Sequence, residues 1–335
     1  MVSMVETELV GQGVGKVLIA FRAILLLAVF FPTIGGCAVD SKLDLGDTRL
    51  TQEQDGLLTL WRTMRGGQLV SRLDQNGFPL PGSIKGFTSF IFPSALAAKA
   101  QDLYIADAGA RKIYRFNTNM QSLSIVPDIE ATNLTRLQVA PDYSLLVLDP
   151  ARSVISSFGR GGQKLQTLSS PVASAHLTEF MVDESYGRIY AVDQLNQQLI
   201  PLHPLGSAEM PLITAGAGEI KSLGALTGVG RILYMVDAGC ACIVAIDEAG
   251  QVLERIGQGE LIQPKALVAD RSGHLFVADG FDRTLKVFLR GTLVASYTQS
   301  KLHVIDITAL AVDQSSLYVA DGPGAQVVVF RIRLP

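Results

Sequence analysis

The residues best equipped for chemistry in this chain are few. Two of its three cysteines, Cys240 and Cys242, stand one residue apart in DAGCACIVAID. Two thiols at i and i+2 in an extended segment face the same side, with Cα atoms near the upper limit for an unstrained bridge. Three readings stay open: inert small residues, a redox-active pair in an oxidising compartment, or part of a soft-metal site, since two ligands alone are too few for zinc. The four histidines are His176, His203, His274 and His303. Among the acids, Glu179 lies within the apolar segment EFMVDES, and Asp183, Asp270 and Asp313 lie at the far ends of such segments. Six further aspartates, Asp107, Asp149, Asp193, Asp237, Asp279 and Asp321, recur 42 to 44 residues apart. A metal needs convergent ligands, and carboxylates spaced one per repeat do not converge. Each is better suited to fix a turn, by accepting backbone N–H groups two or three residues on. The chain has no glycine-rich phosphate loop, serine-nucleophile motif or HExxH.

The elements that hold these residues repeat with the aspartates. Four residues before each Asp stands Leu103, Leu145, Ile189, Leu233, Leu275 or Leu317, and nine residues after it Phe116, Phe158, Leu202, Ile246, Phe288 or Phe330. A fixed period of this length marks a repeat array with one supersecondary unit per period. The strand before each Asp is apolar at nearly every position, as when both faces are covered. A blade packed between two neighbouring blades meets that condition.

VADGFDRTLKVF, IADAGARKIYRF and VADGPGAQVVVF resemble the NHL repeat. The resemblance covers about residues 88 to 332 and implies an all-β, six-bladed β-propeller of four-stranded antiparallel blades. The NHL family spans enzymes, sensors and binding scaffolds, so the resemblance speaks to fold rather than function. Family members often carry Asn three and Arg five residues after the Asp; here only Asn196 matches the first and only Lys112 approximates the second.

Counting along the repeat leaves the last blade one strand short, because the chain ends just past its third strand, residues 326–332. The N-terminal segment 68–73, QLVSRL, is expected to close the ring, with 57–63 packed beside it; Leu57 to Trp61 is the rival for that place but lies 46 to 50 residues before Asp107. The loop from Asp74 to Phe92 then leads into blade one. It shares a face with the turns after each Asp and presents Phe78 and Phe87 as candidate partner-binding residues, while Phe90 and Phe92 run into the first strand.

The N-terminus has a different character. Lys16 and Arg22 precede an apolar stretch from Ala23 to Ile34, which suits the core of a signal peptide over residues 1–36. The sequence Ile34-Gly35-Gly36-Cys37 resembles the lipobox of bacterial lipoproteins, and that resemblance makes Cys37 the lipidation site. Residues 37–56 then read as the lipidated Cys and a flexible tether, and residues 57–335 as the propeller. Ala38 is not an acidic retention signal, so the expected location is the cell envelope, lipid-anchored in the outer membrane and facing the periplasm. A net charge of −3 gives no basic footprint for nucleic acid.

Two enzyme classes resemble this family. Peptidyl-hydroxyglycine lyases hold zinc at the central channel on several histidines, but His203 and His274 fall on the opposite face, leaving His176 and His303. Calcium-dependent lactonases need Glu, Asn and Asp converging on the axis, and only Glu179 enters near the right end. No cofactor is therefore expected. The reading is a monomeric, membrane-anchored extracytoplasmic scaffold that binds a protein or glycan through one propeller face. The alternative is a metal-dependent propeller enzyme of lactonase or lyase type, with its site at the central channel.

Overall fold

The computed structural model describes residues 56–169, 175–185, 187–202, 210–215 and 220–333. Cys37, the leader, the tether as far as residue 55 and His203 lie outside them. The described residues form six antiparallel blades in a ring, and their one helix is a four-residue turn, Gln299–Leu302. The first strands are β1 (Leu58–Met64), β2 (Gly66–Val70), β3 (Ile84–Ser89), β4 (Pro93–Lys99), β5 (Asp102–Asp107), β6 (Lys112–Asn117) and β7 (Ser122–Val126). Blade one is β4 to β7, with β4 innermost. The innermost strands of blades two to six are Arg136–Val139, Leu177–Val182, Leu223–Val229, Pro264–Ala269 and Ile307–Asp313. Each touches the next, and the last returns to β4.

The near-continuous apolar runs follow from this ring. Successive side chains of a strand point to opposite faces, and in a propeller each face meets a different blade. Leu103 and Ile105 of β5 pack with Tyr318 and Val327 of blade six, while Tyr104 and Ala106 pack with Leu137 and Val147 of blade two. All four are 1% exposed or less. Full burial of such a side chain is worth roughly 1.5–3 kcal/mol, so polar substitution is penalised on both faces. The other blades repeat the arrangement, as where Phe276 and Leu285 of blade five meet Leu310 and Phe330 of blade six.

Ring closure differs from the expected pairing. The strand that completes blade six is β1, antiparallel to Gln326–Ile332, with Leu58 opposite Ile332 and Met64 opposite Val327. Segment 68–73 does not close the ring. Its first part lies in β2, which runs parallel to β7 and antiparallel to β3, so blade one is extended to six strands. Residues 66–89 are thus a hairpin inserted between the closing strand and blade one, and an insertion breaks any count made from the repeat period. Gly66 permits the break. Its φ is +153°, and a Cβ there would lie 2.1 Å from the Thr88 carbonyl oxygen.

Candidate functional site

One face of the ring is built by the repeated aspartates, and their role is wider than fixing a turn. The Asp107 carboxylate accepts the N–H of Ala110 in its own turn, and also those of Ile91 and Phe92, each at 2.8 Å. Those two residues belong to the loop that leads into the blade's innermost strand. Asp237 likewise accepts Gly239, Lys221 and Ser222; Asp279 accepts Phe281, Ile262 and Gln263; Asp321 accepts Gly324, Ile305 and Asp306. Asp193 accepts His176, Leu195 and Asn196. Each carboxylate clamps a turn to a lead-in loop. Burial pushes the Asp279 carboxyl up, but N–H donors and the Lys286 ammonium outweigh it and hold the group below the usual carboxylate range. Asp149 departs from the pattern and, among the described residues, accepts only the Ala151 N–H.

The clamps put apolar side chains into solvent. Ile91, Ile262 and Ile305 occupy equivalent lead-in positions, and each gives its N–H to Oδ2 of its Asp. Their side chains are 59%, 51% and 57% exposed; Phe281 in the turn of blade five and Leu195 in that of blade three are 69% and 67% exposed. These residues escaped the sequence reading, since a lone apolar residue before a strand looks like the start of the strand.

The candidate phenylalanines lie elsewhere than expected. The hairpin's root reaches the clamp face, where Arg65 Nη1 meets the Gly324 carbonyl at 3.5 Å. Its tip lies at the opposite end of blade one. There Arg115 donates to the Gly77 carbonyl at 2.6 Å, and Arg115 and Arg160 both pair with buried Asp102, at 2.7 and 2.8 Å. A Cβ on Gly77 would lie 1.9 Å from Arg115 Nη1, so the tip docks only because that residue is glycine. Phe78 follows in the tip turn, held by the Asp74 carboxylate, and Phe87 pairs with Gln68 in the strands; both remain exposed. Phe90 is buried beside Tyr114, and Phe92 is half-buried with its ring against Gly322 of blade six.

Along the channel, Glu179 pairs with Arg136 of the neighbouring blade. Burial raises its carboxyl while the guanidinium pulls it down, and burial prevails. At the mouth opposite the clamp face lies a cavity of about 450 Å³, lined in part by Lys99, Gln138, Arg231, Arg271 and Asp313. An exposed Arg271–Glu184 pair, 3.2 Å apart, joins the turns of blades five and three. Burial also pushes the Asp313 carboxyl up, against a hydrogen bond from the Ala100 N–H and the charges of Arg271 and Lys99. Asp183 and Asp270 fix their own turns, through Ser185 and through Ser272 and His274. Asp313 instead reaches blade one. His274 is buried with Nδ1 2.7 Å from Asp270, His176 is exposed, and His303 caps the short helix. Among the described residues no three His, Cys, Asp or Glu side chains are grouped to hold a metal ion.

Cys240 and Cys242 are disulfide-bonded, with Cα atoms 5.2 Å apart. The segment is not extended, as the sequence suggested: Ala241 between them has φ +49°, which shortens the span. Cys242 is buried and Cys240 half-buried, and Arg255 Nη1 lies 3.9 Å from Cys240 Sγ.

No family model matches this chain, and no curated protein matches it. Solved structures match in shape. A gluconolactonase from Xanthomonas campestris is similar with TM-score 0.57 and 15% identity, over 84% of this chain and 100% of that one. A protein of unknown function from Bacteroides thetaiotaomicron gives TM-score 0.58 and 13% identity, over 81% and 76%. A virginiamycin B lyase from Staphylococcus aureus gives 0.50 and 12%, over 73% and 86%. At these identities the likeness establishes the six-bladed β-propeller fold alone.

Proposed function

We propose that this chain is an extracytoplasmic binding scaffold of NHL-repeat type, held on the cell envelope by lipid at Cys37, that recognises a protein partner through its clamp face. The observation that carries the reading is the set of equivalent isoleucines, Ile91, Ile262 and Ile305, each fixed by its backbone to a buried carboxylate while its side chain stays in solvent. The fold needs the backbone of those positions, not the apolar side chain. Exposed apolar groups clustered on a rigid face mark interaction sites, and pre-ordered loops lose little entropy on binding. Aliphatic side chains favour a protein partner over a glycan. Phe78 and Phe87 on the hairpin are no part of this surface in the proposal, since the hairpin tip lies at the end of blade one opposite the clamp face.

The test is crosslinked capture from intact cells. Serine at Ile91, Ile262 and Ile305 together is expected to abolish capture while each exposed change moves the melting temperature by only about 1–2 °C. Phe78→Ser with Phe87→Ser is expected to leave capture unchanged. A folded triple variant that recovers the partner undiminished overturns the clamp face as the binding surface. Anchoring is separate: Cys37→Ser is expected to lose lipid labelling and leave an unprocessed precursor, and normal processing in that variant overturns the lipid anchor.

A further inference from the structure

We propose that Cys240 and Cys242 form a thiol–disulfide exchange site on the clamp face, whose substrates are accessible thiols and disulfides. In every blade the fourth residue after the Asp is non-glycine with positive φ: Arg111 at 54°, Ser153 at 51°, Gln197 at 52°, Ala241 at 49°, Arg283 at 56° and Ala325 at 52°. Five of these turns adopt that shape without a disulfide. The blade therefore imposes the turn, and the bond joins two positions that the turn already brings within bridging distance. Opening the bond leaves the thiols opposed, so reclosure stays intramolecular.

What the cysteines replace supports the same reading. At their positions in other blades, Asn196 and Gln326 donate to the clamp carboxylate, at 2.6 and 2.9 Å. The cysteines give up that support. The two sulfurs also differ. Cys242 is fully buried in the core, whereas Cys240 is half-buried with the Arg255 guanidinium 3.9 Å from its sulfur. A neighbouring cation favours the thiolate, which is the reactive form. The nearby Asp237 charge works against it, but that carboxylate is taken up by three backbone N–H groups and by Arg255 at 3.9 Å. Cys240 thus fits the attacking thiol and Cys242 the resolving one.

In the reduced pair, the Cys240 thiolate attacks one sulfur of a substrate disulfide. A Cys240–substrate S–S bond forms, the substrate S–S bond breaks, and one substrate thiolate leaves. Cys242 then loses its proton and attacks Cys240 Sγ, re-forming the internal bond and expelling the second substrate thiolate. The pair is oxidised by two electrons and the substrate disulfide is reduced to two thiols; excess thiol drives the reverse.

Glutathione is the probe, on the full chain carrying Cys37→Ser, so that the pair holds the only two cysteines. Mixtures of reduced and oxidised glutathione at neutral pH, quenched by alkylation, are expected to interconvert the two states reversibly. The melting temperature should change by less than about 5 °C between them. With Cys242→Ser, Cys240 should take up one glutathione, and with Cys240→Ser, the buried Cys242 should react at least about tenfold more slowly. A bond that opens only after denaturant unfolds the chain, or single variants that react alike, overturns the proposal. The unsubstituted pair's titration decides the matter if either variant fails to fold.

Discussion

The turns after Asp279 in blade five and Asp149 in blade two occupy equivalent places in the ring but are held in opposite ways. Asp279 is buried and binds two lead-in N–H groups, one turn N–H and the Lys286 ammonium at 3.0 Å. Lys286 is itself buried and also meets Asp282 at 2.6 Å. The Asp149 side chain is a third exposed and binds one turn N–H, with Arg152 3.7 Å away in solvent. In blade two the lead-in is tied by its own hydroxyls instead: Thr135 Oγ1 accepts the Thr132 N–H at 2.9 Å, and Thr132 Oγ1 accepts that of Leu134. The propeller requires that turn and lead-in each be fixed. It does not require that one carboxylate fix both.

The sharpest way to break this comparison is Asp279→Ala. It strands three backbone N–H donors and leaves Lys286 with Asp282 and the Glu260 carbonyl, and removing one partner of a buried ion pair costs about 3–5 kcal/mol. Chemical denaturation at neutral pH measures it, and a loss below about 1 kcal/mol would dissolve the distinction between the two turns. The same group predicts a pH effect. Its folded pKa lies below its unfolded value, so its contribution is complete above the unfolded carboxylate range, near 3.9, and is lost as pH falls through the lower folded value. Asp193 and Asp282 are depressed in the same direction. Asp279→Asn should therefore flatten the acid limb of the stability curve. Asp313 has the opposite sign, because burial raises its pKa, so protonation as pH falls through that value relieves a penalty.

The contrast also shows which features a sequence can carry. Blade number and strand positions were legible because each strand faces two apolar neighbours, so the pattern is strong at every residue. The turn role of the aspartates was legible because the N–H donors it captures lie two or three residues on. Their hold on residues 15 to 17 positions earlier, as from Asp107 to Phe92 and Ile91 or from Asp279 to Ile262, was not, because it exists only once strands pair. The hairpin was missed because 66–89 interrupts the period, and β1 lay outside the segment the count favoured. The left-handed residue in each turn was hidden for a plainer reason: none of the six is glycine.

A second test replaces the part that blade two uses in place of the carboxylate. Thr135→Val keeps the shape and removes Oγ1 from a residue only 3% exposed. The Thr132 N–H then loses its acceptor, which costs about 1–2 kcal/mol when the group is partly buried. The loss should be confined to blade two, read as faster amide exchange between Ala131 and Val139 with the other blades unchanged. Uniform acceleration around the ring would mean that the lead-in of blade two is not held locally.

The smallest effect expected is that of Asp149→Asn, and it is informative because it is small. Asparagine keeps an oxygen for the Ala151 N–H and removes only the charge opposite Arg152. That guanidinium is 81% exposed, and ion pairs in solvent contribute about 0–1 kcal/mol. Water and salt screen what attraction there is, so the stability loss should be at most about 0.5 kcal/mol and should vanish at high ionic strength. The same Asp-to-Asn change at Asp279 removes a charge from between two lead-in N–H groups and a buried ammonium. Little water reaches that site, so its cost should be several times larger and should persist in salt. Measured side by side in low and high salt, the two variants separate a turn held by a solvated hydrogen bond from one held by a buried charge. Equal losses with equal salt dependence would show that burial of the carboxylate contributes nothing to the clamp.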